Sequence, residues 1–217
     1  MEKVSVSLNF SDSGYIGQPY WPELATLINI NKDVHPKLGD SKKQAAITAA
    51  LEKRGLTWDD YNVIKEKAAR PFYTVDETRN GEIVIPQRVI QSFVNNCSMN
   101  APKAIPKISS KGLTFIGLKV EEGFLRTKCT ELSALKFERF VKMEESNQRA
   151  FSSSLYITNF NATGVFILDE EIIPSKDLQK IFEWGGKYIG LGSARPQGYG
   201  RFKVIGWDLV SSLKEAA

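Results

Sequence analysis

At 217 residues, with 42% apolar and 25% charged residues, the chain can bury a sizeable core and has the composition of an ordinary globular protein. A net charge of +4 is too small to name a partner, and the two cysteines, Cys97 and Cys129, have no metal-ligand spacing. No run is long and apolar enough to span a bilayer, so the expectation is a soluble, cytoplasmic chain with reduced thiols and no membrane partner.

Residues 3–10 alternate strictly, with Val4, Val6, Leu8 and Phe10 on one face and Ser5, Ser7 and Asn9 on the other, which predicts a half-buried strand. Residues 11–82 read as a mostly helical insertion. Gly14, Gly17, Pro19 and Pro22 break its first part into loop. A helix follows from Asp40-Ser41 to about Arg54, with Ile47, Ala50 and Leu51 inward and Gly55 as its stop. Thr57 caps another, stapled from Leu56 to Tyr61 and ended by Pro71. The lone histidine, His35, precedes Pro36 in a polar loop with no visible partner, so no catalytic or metal role is assigned to it.

Ile83–Ile85 is a short strand, and Pro86 pre-sets a helix whose apolar stripe is Val89, Ile90, Phe93, Val94 and Cys97, with Arg88 in the first turn. A basic, extended linker leads to a strand predicted over residues 113–120. Residues 124–160 read as a second excursion, an exposed hairpin. Strands at 154–160 and 164–168 flank Asn161-Ala162, and Val165–Leu168, apolar on both faces, is expected to be central. Asp169-Glu170-Glu171 reads as solvated. A helix from Pro174-Ser175 turns Leu178, Ile181 and Phe182 inward and stops at Gly185, and the last strand spans 201–209.

Without the excursions the order is βαββαβ in one domain spanning 1–217. This is an α+β, ferredoxin-like (RRM-like) core with a four-stranded antiparallel sheet and two helices on one face. RNA-recognition modules use the other face of such a sheet for stacking, although a fold alone licenses no function.

The most informative stretch is the loop before the last strand. Gly190-x-Gly192 and Gly198-x-Gly200 bracket Arg195, with Lys187 and Tyr188 before them, Tyr199 between the second pair, and Arg201 and Lys203 after. Glycines permit close backbone approach and amides that converge on an anion, and fixed cations beside such a turn suit a phosphate backbone. The ending lacks the Gly-Lys-Ser/Thr of a triphosphate loop, and the helix-loop-strand order is the reverse of a dinucleotide fingerprint. The alternative is a tight connection whose glycines only turn the chain.

The loop GLGSARPQGYGRFKV resembles the C-terminal glycine-rich loop of the RAMP superfamily, the CRISPR-associated RNA-binding subunits, and Ile85-Pro86 is similar to that family's helix start. The excursions over 11–82 and 124–160 resemble the helical insertion and projecting hairpin of the backbone-forming subunits of CRISPR effector complexes. Arg195-Pro196 and Arg201-Phe202 are also similar in style to loops of stand-alone phage and mobile-element proteins. The resemblance implies a protein that grips single-stranded RNA, or single-stranded DNA, by its backbone. It implies no cofactor, and partners among further copies of the chain or CRISPR-type subunits. The residues implied are Lys187, Tyr188, Gly190, Gly192, Arg195, Gly198, Tyr199, Gly200, Arg201 and Lys203, with Arg88 at the first helix. The superfamily's processing ribonucleases use a histidine with tyrosine or lysine helpers. His35 matches no such position, so binding is expected over catalysis. A metal-independent endoribonuclease is one alternative; a phage-encoded single-stranded DNA-binding protein, or a mimic that interferes with a CRISPR complex, is another.

Overall fold

The computed structural model describes every residue except 18–21, 33, 35–38, 69–70, 77, 79, 109–110, 143–148 and 211–217. In chain order the elements are β1 (Glu2–Asn9), α1 (Pro22–Asn31), α2 (Asp40–Glu52), α3 (Trp58–Ala68), β2 (Tyr73–Thr74) and β3 (Ile83–Pro86). They continue with α4 (Gln87–Asn100), α5 (Lys111–Gly117), β4 (Leu118–Val120), β5 (Phe124–Arg126), β6 (Leu135–Lys142), β7 (Arg149–Tyr156), β8 (Asn161–Leu168), α6 (Ser175–Tyr188) and β9 (Lys203–Leu209). The chain is α+β and forms two compact units, residues 1–17 with 72–217, and residues 18–71. No helix among the described residues is long and apolar enough to cross a membrane.

The larger unit is built on a sheet in the order β2-β3-β5-β8-β1-β9, antiparallel at every pairing. Strand β4 lies in line with β5 along the same side of β8, interrupted at Gly123, whose φ is +79°. The apolar Val165–Leu168 run does sit centrally, with β1 on one side and β4 and β5 on the other. Val4, Val6 and Leu8 of β1 and Phe166 and Leu168 of β8 point into the core. There Phe93 of α4 and Phe182 of α6 meet at 5.2 Å, and Phe182 reaches Phe166 at 5.4 Å. Phe10 stacks on Phe160 at 4.6 Å, and each such ring pair adds about 0.5–1.5 kcal/mol beyond the area it buries. The opposite face of β1 and β8 carries Ser5, Ser7 and Asn9 across from Val165, Thr163 and Asn161. Among the described residues of these two strands, that face has no aromatic ring for a base to stack on.

Strand β9 is the end of the described sheet. Its register with β1 shifts at Ser7/Leu8: Ser7 pairs Gly206 and Leu8 pairs Val204, leaving Ile205 as the extra, exposed residue of a bulge. The bulge resets the alternation, so Val204 and Trp207, three apart, both pack on the core.

Several elements differ from the sequence reading. Only Leu118–Val120 of the expected 113–120 strand is strand; Lys111–Gly117 is helix. Thr114 is buried and its hydroxyl donates to Asn95 Oδ1 at 2.7 Å, while a Cβ on Gly117 would sit 2.8 Å from Ile172. Buried Thr114, Gly117 and Leu118 are spaced for a helix, and period 2 begins only at Leu118. The expected 154–160 strand ends at Tyr156 and pairs with β6 rather than β8; beyond it Ile157 bridges Tyr15. Helix α6 does not stop at Gly185 but runs on to Tyr188. Gly185 and Gly186 serve close packing: a Cβ on Gly185 would lie 2.6 Å from Phe93 Cζ, and one on Gly186 would lie 2.6 Å from the Phe202 carbonyl oxygen. Gly185→Ala is therefore expected to overpack the α4–α6 crossing and cost about 1–3 kcal/mol, read as a lower urea midpoint at unchanged m-value. An unaltered midpoint would mean the two helices do not approach as described.

The smaller unit, residues 18–71, holds α1, α2 and α3 around Ile30, Ala50, Leu51 and Tyr61. Helix α1 falls where the sequence predicts the start of the insertion to be loop; Pro22 stands at its first position, where a missing N–H breaks no helical bond. Thr57 caps α3 as expected: its Oγ1 accepts from the Asp60 amide at 3.1 Å, and its own amide donates to Asp60 Oδ2 at 2.8 Å. The Thr57 amide, and then its hydroxyl, which donates to the same Oδ2 at 2.7 Å, hold the Asp60 carboxyl below the ordinary carboxylate range. Leu56 packs on the same cluster as Tyr61. His35 lies outside the described residues.

Candidate nucleic-acid interface

The glycine loop begins where α6 ends. Ile189 closes the helix, and Gly190 follows in the left-handed region at φ +80°, where its amide and that of Ile189 both donate to the Gly185 carbonyl. A side chain there would cost about 1–2 kcal/mol for that conformation alone. Gly192, Gly198 and Gly200 share this backbone hand, and a short 3-10 turn, Arg195–Gln197, lies between the pairs.

The loop is fastened by main-chain bonds to the segment after β1. Ser193 N–H donates to the Ile16 carbonyl at 2.9 Å and Gly200 N–H to the Gly14 carbonyl at 2.7 Å. Leu191 N–H returns to the Gly200 carbonyl at 2.8 Å, Gly198 N–H to Arg195, and Gln197 N–H to Ala194. The amides of Gly190, Leu191, Ser193, Gln197, Gly198 and Gly200 are thus committed to carbonyls of the chain. The sequence suggests loop amides converging on an anion; these six amides are instead satisfied within the chain.

Beside the loop lies a groove of about 810 Å³, lined by Lys187 of α6, Gly198, Arg201 and Lys203 of the loop and β9, and by Asn9, Asp12 and Ser13. Lys203 Nζ pairs with Asp12 Oδ2 at 2.5 Å, and both groups are about two-thirds exposed. The lysine's hydrogen bond, then its charge, holds the Asp12 carboxyl below its usual range. Lys187 lies over the Tyr188 ring at 5.1 Å. Among the described residues no carboxylate lies within ion-pairing distance of Lys187 or Arg201. Arg201 holds its place through its main chain, its carbonyl accepting from Ser13 Oγ at 2.6 Å. Glu183 also lines the groove, so three cations face two carboxylates there.

A second pocket, about 320 Å³, adjoins the first and shares Asp12, Ser13, Gln197 and Gly198 with it. Tyr199 lines it, meeting Tyr156 at 5.4 Å with the rings 70° apart. Burial, then the neighbouring Tyr156, raises the Tyr199 phenol above its ordinary value, so it stays neutral at physiological pH.

The structure therefore gathers Lys187, Gly198, Tyr199, Arg201 and Lys203 around one surface, with Gly190, Gly192 and Gly200 buried as its frame. Three other expected residues line neither cavity. Arg195 turns back over α4, where the Asn96 amide, oriented with its oxygen toward the loop, accepts from both guanidinium nitrogens at 2.7 and 3.2 Å. The same arginine lies near buried Cys97, whose thiol burial pushes up to about 12. Tyr188 is exposed and packs on Trp184 at 5.5 Å. Arg88 lies over the Tyr73 ring at 4.6 Å. Asn9, Asp12, Ser13, Tyr156 and Thr158 were not foreseen as lining residues. Gly14 carried the one available signal, a glycine just past a strand where another backbone comes close.

Fold and site together define an α+β protein with a cationic groove beside a glycine-framed loop. No family model matches the chain, and no curated protein matches it. Solved structures similar to it include a chain of the Type III-B Cmr-beta complex bound to cognate target RNA, at 8% identity and a TM-score of 0.45, over 96% of this chain and 60% of that one. A chain of a Type IV-B CRISPR complex is similar at 9% identity and a TM-score of 0.43, over 99% of this chain and 93% of that one. The protein thus spans about three-fifths of the length of the first of these chains.

Proposed function

We propose that the protein binds single-stranded nucleic acid, RNA before DNA, by its sugar-phosphate backbone along the groove beside the glycine loop. The observation that carries this reading is the 810 Å³ groove with Lys187 and Arg201 on its wall, neither held by a described carboxylate. Phosphates are gripped by such side chains without sequence being read. Lys203 joins them by exchanging exposed Asp12 for a phosphate, an exchange that an exposed ion pair opposes only weakly. Tyrosines beside cations favour an unpaired strand, whose bases are free to stack. The polar face of β1 and β8 supports the same choice of surface, because it offers no ring of the kind RNA-recognition modules use.

The strand order β9-β1-β8-β4, with α4 and α6 against one face, supports a ferredoxin-like core. With the loop's resemblance to the RAMP superfamily, it supports a subunit that lies along a strand, with copies of itself or CRISPR-type subunits as neighbours. Fluorescence anisotropy with single-stranded RNA, single-stranded DNA and duplex over a salt series tests the reading. Both single strands are expected to bind more tightly than duplex, with affinity falling linearly in log salt. Equal binding of all three, or affinity that ignores salt, would sink it.

A further inference from the structure

The smaller pocket differs in chemistry from the groove beside it. Its lining has one carboxylate, Asp12, and neither lysine nor arginine, so a phosphate entering it meets repulsion rather than neutralisation. It offers two phenol rings, three hydroxyls from Ser11, Ser13 and Thr158, and main chain at Gly14 and Gly198. The Tyr156 ring lies directly on Gly14, where a Cβ would overlap it, and the Tyr199 ring meets it at 5.4 Å with the planes 70° apart. A planar, neutral heterocycle with a hydrogen-bonding edge fits that description. Asp12, Ser13, Gln197 and Gly198 line both this pocket and the cationic groove, so the two cavities are neighbours.

We infer that this pocket receives one unpaired base of the strand whose phosphates lie in the groove, and that Asp12 favours bases bearing an exocyclic amine over uracil. The inference rests on the backbone-binding reading above. In the free protein Lys203 holds the Asp12 carboxyl below its usual range, and once Lys203 moves to a phosphate the carboxylate, which only accepts, is left open to a base. The serine protons are already spent: Ser13 Oγ donates to the Arg201 carbonyl at 2.6 Å, and Ser11 Oγ to Asn9 Oδ1 at 2.5 Å. Asp12 and the two serine oxygens thus form an accepting side of the pocket, while Thr158, Gln197 and the two phenols complete the lining. Cytosine and adenine present an amine to that accepting side, whereas uracil flanks its single N–H with two carbonyl oxygens.

The test is anisotropy with oligomers of about 15 nucleotides, a length covering one binding site: oligo(C), oligo(A), oligo(U) and an abasic ribose-phosphate strand. The proteins are wild type, Tyr156→Leu, Tyr156→Phe and Asp12→Asn. Wild type is expected to bind oligo(C) about tenfold more tightly than the abasic strand, within the range of one base on an aromatic ring. Tyr156→Leu should bring oligo(C) down to the abasic value and leave the abasic strand unchanged, while Tyr156→Phe keeps the wild-type difference. Asp12→Asn should erase the preference for oligo(C) and oligo(A) over oligo(U), and should tighten the abasic strand by releasing Lys203. Equal affinity of wild type for oligo(C) and the abasic strand overturns the pocket and leaves the groove standing, as does a Tyr156→Leu loss that is the same for both. Failure of every strand, the abasic one included, overturns the backbone reading and the pocket with it.

Discussion

Gly200→Ala is expected to lower stability by about 3 kcal/mol or more, whereas Gly198→Ala, two residues away, should cost about 1 kcal/mol. Both glycines have left-handed backbone, at φ +77° and +92°, so both substitutions carry the conformational penalty. Only Gly200 adds a collision: its Cβ would overlap the Leu191 carbonyl oxygen, and that is main chain, which has no rotamer to move to. Around Gly198 nothing lies within 4 Å. The collision falls where the loop's two ends are tied, since Leu191 N–H donates to the Gly200 carbonyl and Gly200 N–H to Gly14. Urea unfolding of both variants followed by tryptophan fluorescence separates them, and equal midpoints would show that the glycine pairs do not interlock as described.

Replacing Lys187 and Arg201 together by alanine should weaken single-stranded RNA binding about 25-fold at 0.1 M salt. It should also flatten the slope of log affinity against log salt by about 1.4, since each phosphate contact on a single strand contributes about 0.7 to that slope. Lys180→Ala is the control. It sits on the same helix, outside the groove, and pairs with Asp177 at 3.6 Å. Its affinity and slope should match wild type. If the double variant and the control behave alike, the cations act through overall charge and the groove is not the binding surface.

Much of the larger unit is legible in the chain wherever one period rules an element. The alternation of Val4, Val6 and Leu8, the stripe from Val89 to Cys97 and the two-sided apolar run of β8 each describe a residue's surroundings directly. The reading fails where the period changes inside one apolar run, as at Gly117, and where glycine has two uses. Gly185 looks like a helix stop, but its value is the missing Cβ under Phe93, a contact 92 residues away that no local pattern encodes. The candidate site divides the same way. The left-handed glycines and the cations Lys187, Arg201 and Lys203 follow from composition and spacing. That Arg195 turns to Asn96, or that Tyr156 meets Tyr199, follows only from how distant elements meet.

The bulge at Ile205 also shapes the outer rim of the sheet. If molecules are drawn side by side along one polymer, the free rim of each sheet comes near another at high local concentration. A neighbour's extended segment laid along β9 would meet the in-step spacing of donors and acceptors only as far as the extra residue, and then fall out of phase. That interruption would limit how far a ladder between two molecules could run along β9.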